Sequence, residues 1–302
     1  MRSNLVKRAG LLSALSILVA CVHASPAVGH GLGDECGGGR SNWSYPEIAD
    51  GVNQWVKLDH PCCDRSHTPQ SPIDLVQPVG GTANVMLAVS NYKIQRQGDC
   101  QNFSFGISAA TTGRPGPSIT VDNRTWDLVE IHFHAPSEHR ITVSGDSTPA
   151  ATDMEMHVKS RLRNNDHIYG VFTVLFEAAK DDLDQAQGNC PAPDKLLEPI
   201  LEAIAEPDSN PVPFRLDCAL APFGYVGSRF YRYNGSLTTP SCSPGVTFFV
   251  QAVPQKISAS QPKTFSDALK NQFGWSNNAR MPQARSTPPW ELTIVRPTPS
   301  SP

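Results

Sequence analysis

Hydrophobic residues between about residue 41 and residue 295 fall mostly into short runs rich in Val, Thr and Phe, separated by Gly, Pro and Asn. Such runs are typical of β-strands, as in GVFTVLFEA, GVTFFVQAV and WELTIV. Apolar residues recur every three or four positions in PDKLLEPILEAIAEP and in TFSDALKNQFG, and Gly274 is suited to end the second of these helices. The pattern predicts a mainly β protein with one large, mostly antiparallel sheet and a few surface helices.

The run TWDLVEIHFH, which ends at His134, is predicted to be a strand whose two sides differ in chemistry. Successive side chains of a strand point to opposite sides of the sheet. The apolar side is formed by Val129, Ile131 and Phe133, and the polar side by Glu130, His132 and His134. Most His-x-His pairs bind no metal, so this pair becomes a candidate site only together with further ligands.

A second run, MEMHVKS, repeats this design. Its apolar side is Met154, Met156 and Val158, and its polar side is Glu155, His157 and Lys159. If the two strands are neighbours, three imidazoles converge. Three neutral nitrogen ligands with an open fourth position describe a catalytic zinc site.

Composition and charge narrow the classes of function. Of the 302 residues, 39% are hydrophobic and 18% are charged, which is ordinary for a globular protein. No internal repeat or linker divides the sequence, so we predict one domain. The formal net charge is −3 and no basic stripe occurs, which argues against nucleic-acid binding. No apolar run reaches the roughly 18 residues that span a bilayer.

The N-terminus has the pattern of an export signal. Basic residues precede the apolar run LLSALSILVACV, and VHA then supplies small residues where a signal peptidase cleaves. We therefore predict a signal peptide over residues 1–24 and a protein that is secreted, extracellular or periplasmic. The stretch LVAC also resembles a bacterial lipoprotein box, so a lipid anchor on Cys21 is the alternative if the source is bacterial.

The remaining boundaries follow from composition. Residues 25–40 are rich in Gly and are predicted to be flexible, and residues 41–295 are predicted to form the catalytic domain. The tail RPTPSSP, residues 296–302, is predicted to be disordered because it offers little to pack.

Export also changes how the cysteines are interpreted. Disulfides are the expected state of cysteines in an oxidising compartment, and no CxxC pair favours a metal site. Seven cysteines follow the signal: Cys36, Cys62, Cys63, Cys100, Cys190, Cys218 and Cys242. Because seven is odd, at least one thiol is free or bonded to another chain. Four Asn-x-Ser/Thr sequons, at Asn42, Asn102, Asn123 and Asn234, suit an exported glycoprotein.

Five motifs in order resemble the α-class carbonic anhydrases. They are QSPIDL, HFHxxxSEH, EMH, FYRYNGSLTTPSCSPGV and NNARMPQ, the last in permuted form. The 23 residues from His134 to His157 match the family's spacing between its second and third zinc ligands. The resemblance covers roughly residues 41 to 290. It implies one domain on a large twisted sheet, with zinc at the bottom of a conical cleft.

The resemblance also implies a mechanism, the reversible hydration of CO2 to bicarbonate and a proton. His132, His134 and His157 would bind Zn2+, whose hydroxide would attack CO2. Thr238 would accept a hydrogen bond from this hydroxide and donate one to Glu138, since an ionised carboxylate only accepts.

Further roles are carried over from the family by position. Glu130 and Glu155 would orient two of the histidine ligands, Tyr45 would help to hold an ordered water, and His139 would be structural. Thr238 and Thr239 would bind bicarbonate. The CO2 pocket would be lined by Val171, Leu237, Val246 and Phe248. Sulfonamide-type inhibitors would bind. Cys242 would form a disulfide with Cys62 or Cys63, and Cys63 is favoured.

The sequence departs from the family in two ways. The stretch GDCQNFSFGI lacks the histidine that shuttles protons on the cleft wall, and Gln101 or Asn102 takes its place, so we expect slow proton export that imidazole buffer rescues. His60 or His67 could substitute from another loop. Lys159 stands where the family has an apolar pocket residue; if Lys159 obstructs the pocket, its replacement by Val should raise the hydration rate.

Two other functions compete. The chain could be an inactive or weakly active carbonic-anhydrase-like extracellular binding or matrix protein, although the three histidines, Glu138 and Thr238 are all present. It could also be a cupin, in which His132, His134 and Glu138 would bind iron or manganese. The cupin's leading Gly and its second motif are absent.

Overall fold

The computed structural model describes residues 45, 55, 61–64, 69–76, 78–90, 92–97, 102–108, 116–142, 148–179, 189–206, 210–224, 228–284 and 293–298. The predicted signal peptide, the Gly-rich segment, Cys21 and the last four residues lie outside these ranges, as do Asn42, His60, His67 and Gln101.

The described residues form fifteen strands and four α-helices. The strands are β1 Asp74–Leu75, β2 Val79–Ala88, β3 Tyr92–Gln97, β4 Ser104–Ser108, β5 Ser118–Val121, β6 Arg124–His134, β7 Arg140–Ile141, β8 Ala150–Ala151, β9 Met154–Leu162, β10 Asn165–Ala179, β11 Val212–Phe214, β12 Phe230–Ser236, β13 Pro244–Gln251, β14 Gln255–Ser258 and β15 Thr293–Thr298. The helices are α1 Pro193–Leu196, α2 Glu198–Ala205, α3 Leu216–Leu220 and α4 Ser260–Phe273, with short 3-10 turns at Pro61–Cys63 and Ala221–Phe223.

Twelve of these strands form one sheet, which confirms the predicted architecture. The order is β11-β3-β4-β6-β5-β2-β15-β12-β13-β10-β14, and β9 pairs with both β6 and β10. Most pairs are antiparallel; the pairs β10–β13, β10–β14 and β15–β2 are parallel. Strands β1, β7 and β8 form a separate three-stranded sheet.

The two predicted helical stretches differ in outcome. The stretch around TFSDALKNQFG is the helix α4, and Gly274 ends it with φ 90°, a conformation that glycine adopts without strain. The other stretch is divided between α1 and α2, which meet at Leu197. Pro199 explains the division, because proline lacks an N–H and is tolerated in the first turn of a helix but not inside one.

The predicted boundary of the disordered tail was wrong. Strand β15 continues through Thr298, and Arg296, Pro297 and Thr298 pair in parallel with β2. Pro297 is buried there. Pairing with a neighbouring strand orders a sequence that has too few apolar residues to pack by itself.

The histidine-bearing strand β6 contains a bulge that the alternating pattern did not predict. Leu128 pairs with Ser160 on β9, and Glu130 pairs with the next residue, Lys159, so Val129 has no partner on β9. The bulge reverses the alternation: Leu128, rather than Val129, joins Ile131 in the main hydrophobic core. The prediction that Val129 belongs to the apolar side was therefore wrong.

No helix among the described residues is long and apolar enough to cross a membrane.

Candidate metal centre

Three histidines converge where β6 and β9 run side by side. His132 lies directly across from His157 in the antiparallel pairing. The ring centroids of His132 and His134 are 5.2 Å apart, those of His132 and His157 are 5.1 Å apart, and those of His134 and His157 are 4.7 Å apart. The prediction that the two strands are neighbours and bring these rings together is confirmed.

One nitrogen of each ring faces an acceptor outside the cluster. His132 Nδ1 is 3.1 Å from Glu130 Oε1, His134 Nδ1 is 2.8 Å from the backbone oxygen of Asn278, and His157 Nε2 is 2.6 Å from Glu155 Oε1. Each of these nitrogens therefore carries the proton, because the acceptors carry none. The bare nitrogens are Nε2 of His132, Nε2 of His134 and Nδ1 of His157, and these face one another.

The bare nitrogens have the arrangement that a zinc ion requires. His157 Nδ1 and His132 Nε2 are 3.2 Å apart. Two nitrogens bound at about 2.0–2.1 Å to a tetrahedral zinc would be about 3.3 Å apart. His134 Nε2 is buried and has no hydrogen-bond partner among the described residues, which is costly unless a ligand fills the site. The residues present thus fit Zn2+.

Burial keeps two of the three rings neutral. Burial lowers the pKa of His134 well below its ordinary value, and the neighbouring His157 and His132 lower it further. Burial also lowers the pKa of His157 to about 4, although Glu155 opposes the change. Neutral imidazoles are the form that binds a metal ion.

The buried carboxylate of Glu155 fixes the position of His157 by hydrogen bonds. Its Oε1 accepts hydrogen bonds from His157 Nε2 and His139 Nδ1, each at 2.6 Å. Its Oε2 accepts hydrogen bonds from the backbone N–H groups of Glu138 and His139, at 2.7 and 2.8 Å. Burial opposes the charge of Glu155, but His139 and His157 outweigh burial and hold its pKa well below the ordinary value. The other ring nitrogen of His139, Nε2, lies 2.6 Å from the Tyr233 hydroxyl.

Glu138 lies next to the bare nitrogens. Its Oε2 is 3.5 Å from His134 Nε2, and its Oε1 accepts a hydrogen bond of 2.9 Å from the backbone N–H of Arg280. Burial and then Glu155 raise the pKa of Glu138 well above its ordinary value, whereas Arg280 and the Thr238 hydroxyl oppose the rise. A divalent cation in the site would also oppose this rise in pKa and favour the ionised carboxylate.

The expected CO2 pocket residues lie together. Val171, Val246 and Phe248 are buried in one hydrophobic cluster, and the half-buried Leu237 packs against it. Phe248 also contacts the ring of His157, with centroids 5.9 Å apart. Thr238 is buried and Thr239 is half-buried in the turn that follows Leu237. An apolar surface therefore lies against the histidine cluster.

A disulfide joins Cys63 to Cys242, as the resemblance implied. It lies in a small cluster with Tyr45 and Trp55, both buried, against which Trp275 packs. The Cys242 backbone N–H donates a 2.7 Å hydrogen bond to the backbone oxygen of Thr239. The disulfide therefore fixes the turn that carries the two threonines.

A second disulfide, which the sequence left open, joins Cys190 to Cys218. Cys62 is disulfide-bonded as well. The described part of the chain contains no free cysteine.

Sequence reasoning missed two residues that support the site. Asn278 accepts from His134 Nδ1 through its backbone oxygen and from the Ala135 N–H through its side chain, at 2.8 and 2.9 Å. Buried Arg280 donates to the backbone oxygens of Ser71 and Cys63. Both lie in NNARMPQ, which the sequence showed only as a motif. Their roles depend on contacts more than 130 positions away, which no local pattern contains.

Asn102 is one of the two residues expected at the position of the family's proton-shuttle histidine. It is buried, its Nδ2 donates to the Phe133 oxygen at 3.2 Å, and its Oδ1 accepts from Phe103 N at 2.7 Å and from Asn278 Nδ2 at 2.9 Å. Asn102 thus supports Asn278 and, through it, His134.

The fold and the site together define a mainly β protein with a three-histidine site of the kind that catalytic zinc enzymes use. The chain belongs to the family described as eukaryotic-type carbonic anhydrase, whose sequence model matches residues 50–287. It is therefore an enzyme of the carbonic anhydrase class, and the cupin alternative is wrong.

Individual relatives agree with this assignment. The chain is 31% identical over 237 residues to carbonic anhydrase Nec1 of Nesocodon mauritianus, covering 78% of both chains. It is 30% identical over 233 residues to a carbonic anhydrase of Pectobacterium carotovorum, covering 76% of this chain and 83% of the relative. Among solved structures, carbonic anhydrase Cah3 from Chlamydomonas reinhardtii in complex with acetazolamide has the same fold, with a TM-score of 0.59, 22% identity, and coverage of 84% and 99%.

Proposed function

We propose that the chain catalyses the reversible hydration of CO2 with one zinc ion held by His132, His134 and His157. The observation that carries this proposal is the set of three bare imidazole nitrogens that face one another while every other ring nitrogen donates to an acceptor. When bound, zinc would act as a Lewis acid that lowers the pKa of a water molecule to about 7, a value established for carbonic anhydrase itself and not obtained from this structure.

Thr238 and Glu138 would orient the reacting oxygen. With zinc bound, the Glu138 carboxylate would be ionised and could only accept, so the Thr238 hydroxyl would donate to it and keep a lone pair for a proton of the nucleophile. Arg280 N–H fixes the carboxylate from the other side. Val171, Val246, Phe248 and Leu237 would hold CO2 in an apolar pocket, and the Thr238 backbone N–H with the Thr239 side chain would hold bicarbonate. Tyr45 would help to order a water.

Sulfonamides are the inhibitors to expect, since Cah3 was solved in complex with acetazolamide. We also propose that the chain is exported, with a signal peptide over residues 1–24 and a lipid anchor on Cys21 as the bacterial alternative. The two disulfides between described cysteines support an oxidising compartment.

Stopped-flow CO2 hydration, combined with zinc quantification, tests the proposal. We expect one zinc per chain, a hydration rate well above the uncatalysed rate, and loss of that rate on addition of acetazolamide. His157→Ala should lose both zinc and activity. A chain that binds zinc stoichiometrically but hydrates no CO2 would support the alternative, an inactive extracellular binding protein, and would refute the proposal.

A further inference from the structure

A lysine lies beside the metal centre on the same side of β9 as His157. Lys159 is two positions further along the strand and pairs across to Glu130 on β6. Its ammonium is 3.5 Å from Glu130 Oε2. The other carboxylate oxygen, Oε1, is 3.1 Å from His132 Nδ1. One carboxylate therefore connects the lysine to a histidine of the site.

We propose that Lys159 is a positioning residue for the metal centre, which acts through Glu130 on the ring of His132 and slows the loss of zinc. The inference rests on the proposed zinc site and adds a residue to it. A carboxylate that accepts from His132 Nδ1 fixes the ring orientation and directs Nε2 toward the other two bare nitrogens. Lys159 restrains the same carboxylate through its other oxygen, Oε2.

The surroundings of this ion pair make the restraint effective. The side chains of Lys159 and Glu130 are only 31% and 23% exposed, so solvent screens the pair less than it screens a surface pair. The Lys159 ammonium also lies 5.7 Å from the centroid of the Tyr169 ring, which holds it from a second direction. The lysine is thus held between an aromatic ring and the carboxylate.

The register of the two strands determines which residues form this connection. Because the bulge at Val129 leaves that residue unpaired, Glu130 pairs with Lys159 and His132 pairs with His157. The ion pair and two of the ligands consequently occupy neighbouring cross-strand positions on one side of the sheet, and a movement of Glu130 is transmitted to His132 directly.

Arg161 provides a matched control. It is the next residue on the same side of β9, it is also a cation, and its guanidinium lies 5.9 Å from the same Tyr169 ring. Its cross-strand partner is Asp127, not Glu130. If any cation on this side of β9 acted on the site through its charge alone, Arg161 would act as Lys159 does.

The experiment measures the rate at which the zinc-loaded enzyme releases zinc to an excess of a chromogenic chelator. Loss of a ligand's direct partner typically costs 10- to 100-fold in metal affinity, so an indirect restraint should contribute less. We expect Lys159→Met to release zinc about 3- to 10-fold faster. Lys159→Arg, which keeps the charge, should stay within about twofold of wild type, and so should Arg161→Met. If Lys159→Met does not fold, Lys159→Gln replaces it.

A double-mutant comparison isolates the route through Glu130. In a Glu130→Ala background, Lys159→Met should change the release rate by less than about twofold. An unchanged rate in Lys159→Met, or an equal acceleration in both backgrounds, would overturn the inference. If wild-type enzyme holds one zinc per chain and Lys159→Met releases zinc at the same rate, only this inference is overturned. If wild-type enzyme binds no zinc, the proposed function is overturned as well.

Discussion

Glu155→Gln is the substitution that tests the hydrogen-bond network of the site most directly. The change keeps the size and shape of the side chain but replaces one acceptor oxygen by an NH2 group. In the native site each carboxylate oxygen accepts two hydrogen bonds, Oε1 from His139 and His157 and Oε2 from two backbone N–H groups. Whichever way the amide is turned, its NH2 group faces two donors that lose their acceptor.

The size of the effect follows from that count. A buried donor without an acceptor costs about 1–3 kcal/mol, so two cost about 2–6 kcal/mol, against a total stability of about 5–15 kcal/mol. Where the NH2 group faces His139 and His157, a change of tautomer in either ring can relieve part of this cost, and the change in His157 also affects zinc binding. His157 can accept from the amide through Nε2 if its proton moves to Nδ1. Because Nδ1 of His157 is the nitrogen that faces the other ligands, this change would restore stability but lower the affinity for zinc.

Urea unfolding of the zinc-free protein and zinc titration of the folded protein measure the two outcomes, and 15N chemical shifts of the imidazoles report which nitrogen of His157 carries the proton. Glu177→Gln is the control, since Glu177 on β10 forms an exposed ion pair with Lys256 on β14. Glu155→Gln that retains both the stability and the zinc affinity of wild type would refute the reasoning.

Three other predictions concern the rest of the chain. Replacing the Cys63–Cys242 pair by serines should destabilise the protein about 1.6 kcal/mol more than replacing Cys190–Cys218, because the bonds span 179 and 28 residues; urea unfolding without reductant measures this, and equal losses would contradict the chain-entropy argument. In a eukaryotic secretory host, glycopeptide mapping should find a glycan on the exposed Asn123 and none on the buried Asn102, whose amide is hydrogen-bonded to Phe133 and Asn278; a glycan on Asn102 would contradict the structure. Imidazole buffer should raise the steady-state hydration rate several-fold, whereas a buffer-independent rate equal to that of the fastest family members would show that another group shuttles protons.

The sequence determined the chemistry of the two central strands. Alternation placed His132 and His134 on one side of a strand and the apolar Ile131 and Phe133 on the other, because successive side chains of a strand must point in opposite directions. The same period separated Met156 from His157. These relations are local, so the residue order contains them.

The tertiary structure decided what depends on distant contacts or on departures from the regular period. The bulge at Val129 determined which residue of β9 faces Glu130. An alternating pattern of apolar and polar residues does not show where a bulge interrupts the alternation. Pairing with β2 ordered Arg296–Thr298. Asn278 acquired its role because folding carries it to His134, 144 positions away. A buried donor needs an acceptor wherever the chain can supply one, and only the folded chain shows which residue supplies it.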